Sequence, residues 1–299
     1  MMTEQSVKTQ GRKTFLRRML SLPIVRILVE LTLFFGLLFA LKSVLIKPGL
    51  GLLGFEERTF RAWQGVITIT AMFSIYIGVM RFYERRAASE LSAKYLIPDG
   101  VGGAIAGAGM VSAVFAALWL LGAFHILSAG SMEAMIVPVI WVVLLAAMEE
   151  LMFRGILYRI LEEWLGTVVA LALSAGIFGL VHLFNEHADA ISVLSATSGG
   201  LLMGALYSLT GRLWIPIFFH ASWNFTQAIF GSTVSGTDLF GTYFESVREG
   251  PEWLTGGPFG VENSLLTIGL IVVVLAFLFR RMKRQNLFLP RGSARNAGG

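Results

Sequence analysis

Three short groups of polar residues interrupt apolar stretches of this 299-residue chain. Ionisable side chains are costly in hydrocarbon, so those found there face a protein interior or a water-filled cavity. Carboxylates, imidazoles and amides are also the groups that activate water and stabilise an oxyanion. The sequence therefore predicts a hydrolytic site that three helices build inside a membrane. The groups are Glu149, Glu150 and Arg154; Phe178 and His182; and His220 and Asn224.

The adjacent carboxylates Glu149 and Glu150 have different surroundings, because neighbouring residues of a helix point about 100° apart. Glu150 and Arg154 lie four residues apart on one face, where a guanidinium keeps a carboxylate ionised and oriented. Glu149 has no such neighbour in sequence, and we predict that it points into a cavity. In the alternative interpretation, the pair only marks the cytoplasmic end of a span, with Arg154 and Arg159 as interfacial anchors.

The histidines suggest the other two walls of the site. His182 lies one helical turn after Phe178, although a single intramembrane histidine also fits a structural hydrogen bond between helices. His220 and Asn224 are four residues apart and project from one face of a helix. An imidazole and a carboxamide placed in this way can each donate a hydrogen bond to a developing oxyanion. Alternatively, these two side chains only link neighbouring helices.

Composition places the chain among membrane proteins, with 55% hydrophobic and 14% charged residues and a mean hydropathy of +0.71. Its solidly apolar runs favour helices over a β-barrel, whose strands would alternate in polarity. The absence of cysteine excludes disulfides, thiolate zinc sites and a cysteine nucleophile. We predict an all-α, polytopic helical bundle of about eight transmembrane helices. The predicted spans are 24–46, 62–80, 102–123, 135–158, 166–184, 191–209, 214–230 and 264–280.

Together, the three groups resemble the motifs of the CAAX protease and bacteriocin-processing (CPBP or Abi) family of intramembrane proteases. They are similar to those of the Rce1-type CAAX prenyl endopeptidases. The family pattern is Glu-Glu-x-x-x-Arg, then Phe-x-x-x-His, then His-x-x-x-Asn or Asp. Here it reads EELMFR at 149–154, FGLVH at 178–182 and HASWN at 220–224. The resemblance covers about 145–225.

The resemblance implies hydrolysis of a peptide bond in a peptide or protein presented at the membrane. Glu149 would be the general base that activates water, with His182 assisting. His220 and Asn224 would stabilise the oxyanion of the tetrahedral intermediate. The remaining members of the implied site, which would brace these four, are Glu150 and Arg154.

The cofactor is left open at this point. A divalent metal such as zinc, if present, would be held by Glu149, His182 and His220, which matches a three-ligand catalytic zinc site with a free position for water. A metal-free glutamate mechanism uses the same residues and is equally compatible. The motif of two histidines that flank a Glu on one helix, typical of other zinc proteases, is not present in the sequence.

Charge predicts the domain organisation and the orientation. With both termini cytoplasmic, 19 of the 24 Lys and Arg residues lie on the cytoplasmic side, as the positive-inside rule requires. We predict a basic cytoplasmic segment 1–23, one membrane domain 24–284 with a protease-like core at about 135–230, and a disordered cytoplasmic tail 285–299. Residues 81–98 should form an interfacial helix and 231–263 an outer loop. The predicted location is the bacterial cytoplasmic membrane.

Two other function classes stay open. A non-catalytic membrane scaffold or bacteriocin-immunity protein would keep the same fold and bind without cleaving, and an ion-coupled transporter would use the buried carboxylates and histidines as a relay. The expected partners are a peptide or protein substrate and the lipid bilayer. Nucleic acid is not expected, because the basic residues cluster at the ends and in short loops.

Overall fold

The computed structural model describes residues 19–238, 240–293 and 295. In this part of the chain, seven helices are long and apolar enough to cross a membrane, and an eighth is enclosed by them. The predicted helical bundle is confirmed, and the protein is an integral membrane protein. The basic cluster of the predicted N-terminal segment lies outside the described residues. The helices are α1 Pro23–Gly51, α2 Glu57–Phe82, α3 Leu96–Leu120, α4 Met132–Leu165, α5 Thr167–Phe184, α6 Ala190–Thr210, α7 Trp214–Ile229 and α8 Leu265–Arg284.

Apolar side chains cover the outside of this bundle. On α5, the large residues with the highest exposure include Val168, Leu180 and Phe184, which is 91% exposed. In water such a surface would drive association, whereas lipid tails solvate it. Consecutive helices from α4 to α7 are joined by one to five residues, so they run antiparallel as neighbours. The short connections bring all three predicted groups of polar residues into one part of the bundle.

Helix α7 is the exception in length. It has 16 residues, or about 24 Å, which is less than the ~30 Å hydrocarbon core. None of its residues is exposed, and it packs mainly against α3 and α4. Because protein surrounds α7 on all sides, it need not match the bilayer and can carry polar side chains.

Glycines of α3 allow α7 to approach closely. A Cβ atom on Gly103 would lie 2.5 Å from the carbonyl oxygen of Ile215, and one on Gly107 would overlap the carbonyl oxygen of Phe219. By contrast, a Cβ on Gly109 of the same helix would meet no atom within 4 Å. Helix α7, which carries His220, therefore packs against the face of α3 that contains these two glycines.

We expect Gly107→Ala to lower the free energy of unfolding by about 1–3 kcal/mol, because the backbones must separate to admit the methyl group. Thermal unfolding of the purified protein in detergent measures the change. Gly109→Ala is the matched control and should leave the midpoint unchanged or slightly raised. Equal shifts for both variants would contradict the close packing of α3 on α7.

A two-stranded antiparallel sheet joins distant parts of the chain. Strand β1, Phe124–Ala129, pairs with β2, Phe244–Arg248. The sequence predicted no strand, because each segment is short and finds its hydrogen-bond partner more than 100 residues away. We call this end of the bundle the sheet side. The predicted outer loop 231–263 lies here and also contains a helical turn at Glu252–Thr255.

The opposite end, which we call the basic side, carries the connections after α2, α4 and α6 and the end of α8. The predicted interfacial helix over 81–98 was wrong. Short 3-10 turns at Ser89–Leu91 and Ala93–Tyr95 lead instead into α3. Arg86 and Glu90 explain the difference, since their ion pair of 2.7 Å folds this segment against the bundle. The carboxylate of Glu90 also accepts a hydrogen bond of 2.6 Å from Tyr76.

The tail after α8 makes specific contacts where the sequence predicted disorder. Arg295 forms an ion pair of 2.6 Å with the buried Glu162 at the end of α4. The amide of Thr167 donates a 3.1 Å hydrogen bond to the carbonyl oxygen of Leu289. The described part of the tail therefore covers the junction between α4 and α5. Residues 294 and 296–299 of the predicted tail lie outside the described residues.

An ionic cluster on the basic side links α1, α2 and α4. Arg26 of α1 donates hydrogen bonds of 2.9 and 2.7 Å to Glu84 and one of 2.9 Å to Glu163. Burial tends to raise the pKa of Glu84, but hydrogen bonds with Glu30 and Arg26 and the charge of Arg159 outweigh it and lower this pKa from 4.5 to about 2. The charged form of Glu84 is thus the form that stabilises the fold.

The contribution of Glu84 to the stability of the fold depends on pH. A carboxylate with a depressed pKa in the folded state stabilises the protein above its unfolded pKa, and this contribution is lost as pH falls from about 4.5 towards about 2. We expect Glu84→Gln to lower the thermal midpoint at pH 7 and the gap to wild type to shrink between pH 5 and pH 3. A constant gap across that range, measured in detergent, would refute the assignment.

Candidate active site

A cavity of about 60 Å³ lies between α5, α6 and α7 near the sheet side. One water position needs about 10–15 Å³ of such volume, so the cavity has room for several waters. The predicted residues His182, His220 and Asn224 all line it, together with Phe178. Helices α5 and α7 therefore meet as predicted.

Glu150 anchors the polar side of this site and is completely buried on α4. Its Oε1 atom accepts a hydrogen bond of 2.8 Å from Arg154 Nη1 and another of 2.9 Å from His220 Nδ1. The predicted pairing of Glu150 with Arg154 is present. The contact between Glu150 and His220 was not predicted. The spacing of residues along one helix does not show which residues of another helix they contact.

Arg154 ties three helices together. Its Nη2 atom donates a 2.9 Å hydrogen bond to the carbonyl oxygen of Gly200 on α6, and its guanidinium lies 5.0 Å from the ring centre of Phe178 on α5. It is completely buried, so the alternative of an interfacial anchor was wrong for this residue. Arg159 is also buried and pairs with Glu30 of α1 at 3.0 Å.

The backbone around Arg154 is unusual. Helix α4 is α-helical over Ile136–Glu150 and then widens into a π-helix over Leu151–Tyr158. Wider turns of this kind occur mostly as short insertions and frequently at functional sites. In this structure the wider turns begin directly after the two carboxylates, so they set the direction in which Arg154 leaves the helix.

His220 stands between the two carboxylates. Its Nδ1–H donates to Glu150, while its Nε2 lies 3.8 Å from Oε2 of Glu149. That Oε2 atom is buried and has no hydrogen-bond partner among the described residues. Glu149 does not line the cavity itself, since the imidazole of His220 forms the wall at this point. A water beside His220 would come within reach of the free carboxylate oxygen.

His182 and Asn224 present free polar atoms to the cavity. The Nδ1–H of His182 donates a 2.7 Å hydrogen bond to the carbonyl oxygen of Phe178, so Nε2 is left as an acceptor. Asn224 is 8% exposed, and its side chain makes no hydrogen bond with any described residue. A buried amide without a partner costs free energy unless a ligand or water satisfies it. The cavity can therefore bind a polar group through these atoms.

Glu150 and His182 lie at similar depths in the bundle. The span predicted at 135–158 continues to Leu165, so Glu150 lies about 22 Å from the basic-side end of α4 at 1.5 Å per residue. His182 lies a similar ~22 Å from the start of α5 by the same rise. The boundary at 158 was wrong because Arg159 pairs inside the protein and does not mark the membrane surface.

The three residues that would hold a metal do not form a ligand set. Glu149 and His220 lie close to each other, but among the described residues no group of three His, Cys, Asp or Glu side chains is placed to hold a metal ion. His182 lines the same cavity without completing the set. A catalytic zinc site uses three protein ligands, so the residues as placed do not fit one, and the mechanism below uses no metal.

One further carboxylate was missed by the sequence analysis. Glu262 lines the cavity from the connection between β2 and α8. It lies three residues before an apolar run and has no motif around it, so no pattern in the sequence distinguishes it from a surface residue. Only the folding of the 231–263 connection onto α7 brings it to the site.

Comparison with known proteins supports the same region. Residues 131–226 match the family described as Type II CAAX prenyl endopeptidase Rce1-like. A protein of Bacillus subtilis (strain 168) named "Putative membrane peptidase YdiL" is 38% identical over 77 residues, which cover 26% of this chain and 30% of that relative. The chain thus matches less than a third of the relative's length. No solved structure matches. Residues 131–226 are thus similar to the Rce1-like family.

Proposed function

We propose that this protein is an intramembrane endopeptidase that hydrolyses a peptide bond of a membrane-presented peptide or protein. The observation that carries the proposal is the position of His220, which contacts Glu150 and faces Glu149 at the wall of a cavity that Asn224 also lines. The match of residues 131–226 to the Rce1-like family and the similarity to a protein named as a membrane peptidase support it.

The first step is the activation of water. In this proposal, Glu149 takes a proton from a water held beside His220, since its Oε2 atom has no other partner. His182 lines the same cavity, and its free Nε2 atom orients that water as an acceptor. The hydroxide then attacks the carbonyl carbon of the scissile bond.

The second step is the stabilisation of the oxyanion. Asn224 donates to it through its unpartnered amide, and His220 donates through Nε2–H when the ring carries a proton on each nitrogen. Glu149 then returns its proton to the leaving amine, which completes hydrolysis. Glu150 and Arg154 hold the imidazole in place throughout.

The orientation belongs to the same proposal. Lys and Arg residues concentrate on the basic side, so we assign this side to the cytoplasm of a bacterial cell and place both termini there. The catalytic cavity then lies in the outer half of the bilayer, near the sheet side. Reaction of single introduced cysteines with a membrane-impermeant thiol reagent tests this orientation, since the chain has no cysteine of its own.

Membrane proteomics of cells that contain wild type or Glu149→Gln tests the activity. We expect an uncleaved protein to accumulate with the variant and the matching new terminus to appear only with wild type. Glu56→Gln, at an exposed position, is the matched control and should behave as wild type. Identical termini and an unchanged phenotype for Glu149→Gln would favour a non-catalytic scaffold or immunity protein, and gradient-driven flux would favour a transporter.

A further inference from the structure

Glu262 brings an uncompensated negative charge to the cavity. It lies on the 3-10 turn Val261–Asn263 of the sheet side. Its Oε1 atom accepts a 2.7 Å hydrogen bond from Ser235, and its Oε2 atom accepts bonds of 3.0 Å from Gln227 and 3.4 Å from Trp223. All three donors are neutral. No ion pair of the described residues includes Glu262.

The position of this carboxylate relative to the reacting groups follows from α7. His220, Asn224 and Gln227 form one stripe along the helix, at steps of four and three residues. Gln227 lies seven residues after His220, or about 10 Å along the axis. Glu262 is hydrogen-bonded to Gln227. The carboxylate therefore lies at the outer end of the row of residues that begins at the proposed catalytic histidine.

The segments around this end of the cavity carry the same sign of charge. The connections 185–189, 231–238 and 257–264 contain no Lys or Arg, whereas they contain Glu186, Asp189 and Asp238 in addition to Glu262. Arg248 of β2 is a nearby cation, but it interacts with Asp238 and donates a hydrogen bond to the carbonyl oxygen of Gly257. Asn224, which is nearly buried and has no partner, faces the same cavity. A cavity with an open amide and a net negative outer end is complementary to a ligand that carries a carbonyl oxygen and a cation.

We infer that Glu262 is a specificity-determining residue that binds the cationic side chain of a Lys or Arg in the substrate. This inference rests on the proposed function, because it assigns the substrate class of the same site. A distance of about 10 Å corresponds to about three extended residues at ~3.3–3.6 Å each. The basic residue therefore lies one to three positions from the scissile bond, since its own side chain spans part of the distance.

The test uses purified full-length protein in lipid nanodiscs and fluorogenic peptides with an apolar body. In each peptide, a single position on one side of the central bond is varied and carries Lys, Leu or Glu. We expect wild type to prefer Lys at one position. Glu262→Gln should lose about tenfold in kcat/KM for the Lys peptide, equivalent to about 1.4 kcal/mol, because a hydrogen bond between two charged groups is replaced by one to a neutral amide. The Leu peptide should change by less than about twofold.

Two further variants separate recognition from structure. Glu262→Lys should reverse the preference, so that the Glu peptide becomes better than the Lys peptide. Glu249→Gln removes a negative charge from an exposed position of the sheet side outside these connections and should leave the preference unchanged. An equal loss with Lys and Leu peptides in Glu262→Gln would assign Glu262 a purely structural role and overturn the inference.

A binding measurement keeps the inference separate from the proposed function. Fluorescent Lys and Leu peptides are titrated into protein with Glu149→Gln, with and without Glu262→Gln, and affinity is read by anisotropy. Tighter binding of the Lys peptide that depends on Glu262 supports the recognition site even if no peptide is cleaved by wild type, in which case only the proposed hydrolysis fails. Equal binding of both peptides overturns the inference whether or not cleavage occurs.

Discussion

Replacing His220 by alanine is expected to lower kcat by about 10³-fold, within the range found when an acid–base group or an oxyanion donor is removed. The imidazole contacts Glu150 and faces Glu149, so its loss removes an oxyanion donor and exposes two carboxylates to each other. KM should change far less, because the contact matters mainly in the transition state. Cleavage of a fluorogenic peptide by reconstituted protein measures both constants.

His187→Ala is the matched control for this variant. His187 is exposed in the connection between α5 and α6 and does not line the cavity. It should retain wild-type kcat. The proposed mechanism would be wrong if both variants retained activity, or if His220→Ala raised KM and left kcat unchanged.

The largest effect on stability is expected for Arg154→Met. The substitution leaves Glu150 charged and completely buried, with only His220 as a partner. Breaking one partner of a buried ion pair typically costs about 3–5 kcal/mol. The link from Arg154 to the carbonyl oxygen of Gly200 is lost as well. We expect a large fall in the thermal midpoint in detergent.

A double variant tests the cause of that loss. Glu150→Gln combined with Arg154→Met removes both charges, so we expect it to recover part of the lost midpoint, since replacing a whole buried pair is often close to neutral. Arg154→Lys keeps the charge without the planar fork that reaches both Glu150 and Gly200, and should be intermediate. If the double variant were less stable than Arg154→Met alone, an uncompensated buried carboxylate could not be the cause.

The sequence predicted the helices and the contacts between residues one turn apart, because both depend on local spacing. Apolar runs of sufficient length identify spans, and steps of four residues place Glu150 beside Arg154 and His220 in line with Asn224. The roles of these residues stay predictions until the variants are measured. The six predicted residues come from α4, α5 and α7, as expected from their positions in the chain.

What the sequence did not predict depends on contacts between distant segments. The sheet of β1 and β2 forms because two strands more than 100 residues apart supply each other's hydrogen bonds. Glu262 reaches the site only because its connection folds onto α7. The end of α4 was placed too early because Arg159, a charged residue, pairs inside the bundle with Glu30. Burial of a charge by a distant partner leaves no local pattern.

The length of α5 has a consequence for the surrounding bilayer. Its 18 residues span about 27 Å, slightly less than a typical hydrocarbon core. Local thinning of the lipids in contact with this helix relieves the hydrophobic mismatch. His182 lies two residues before the end of α5, so the thinned leaflet brings the headgroup region down to its level. Solvent then reaches the cavity from the interface without crossing acyl chains.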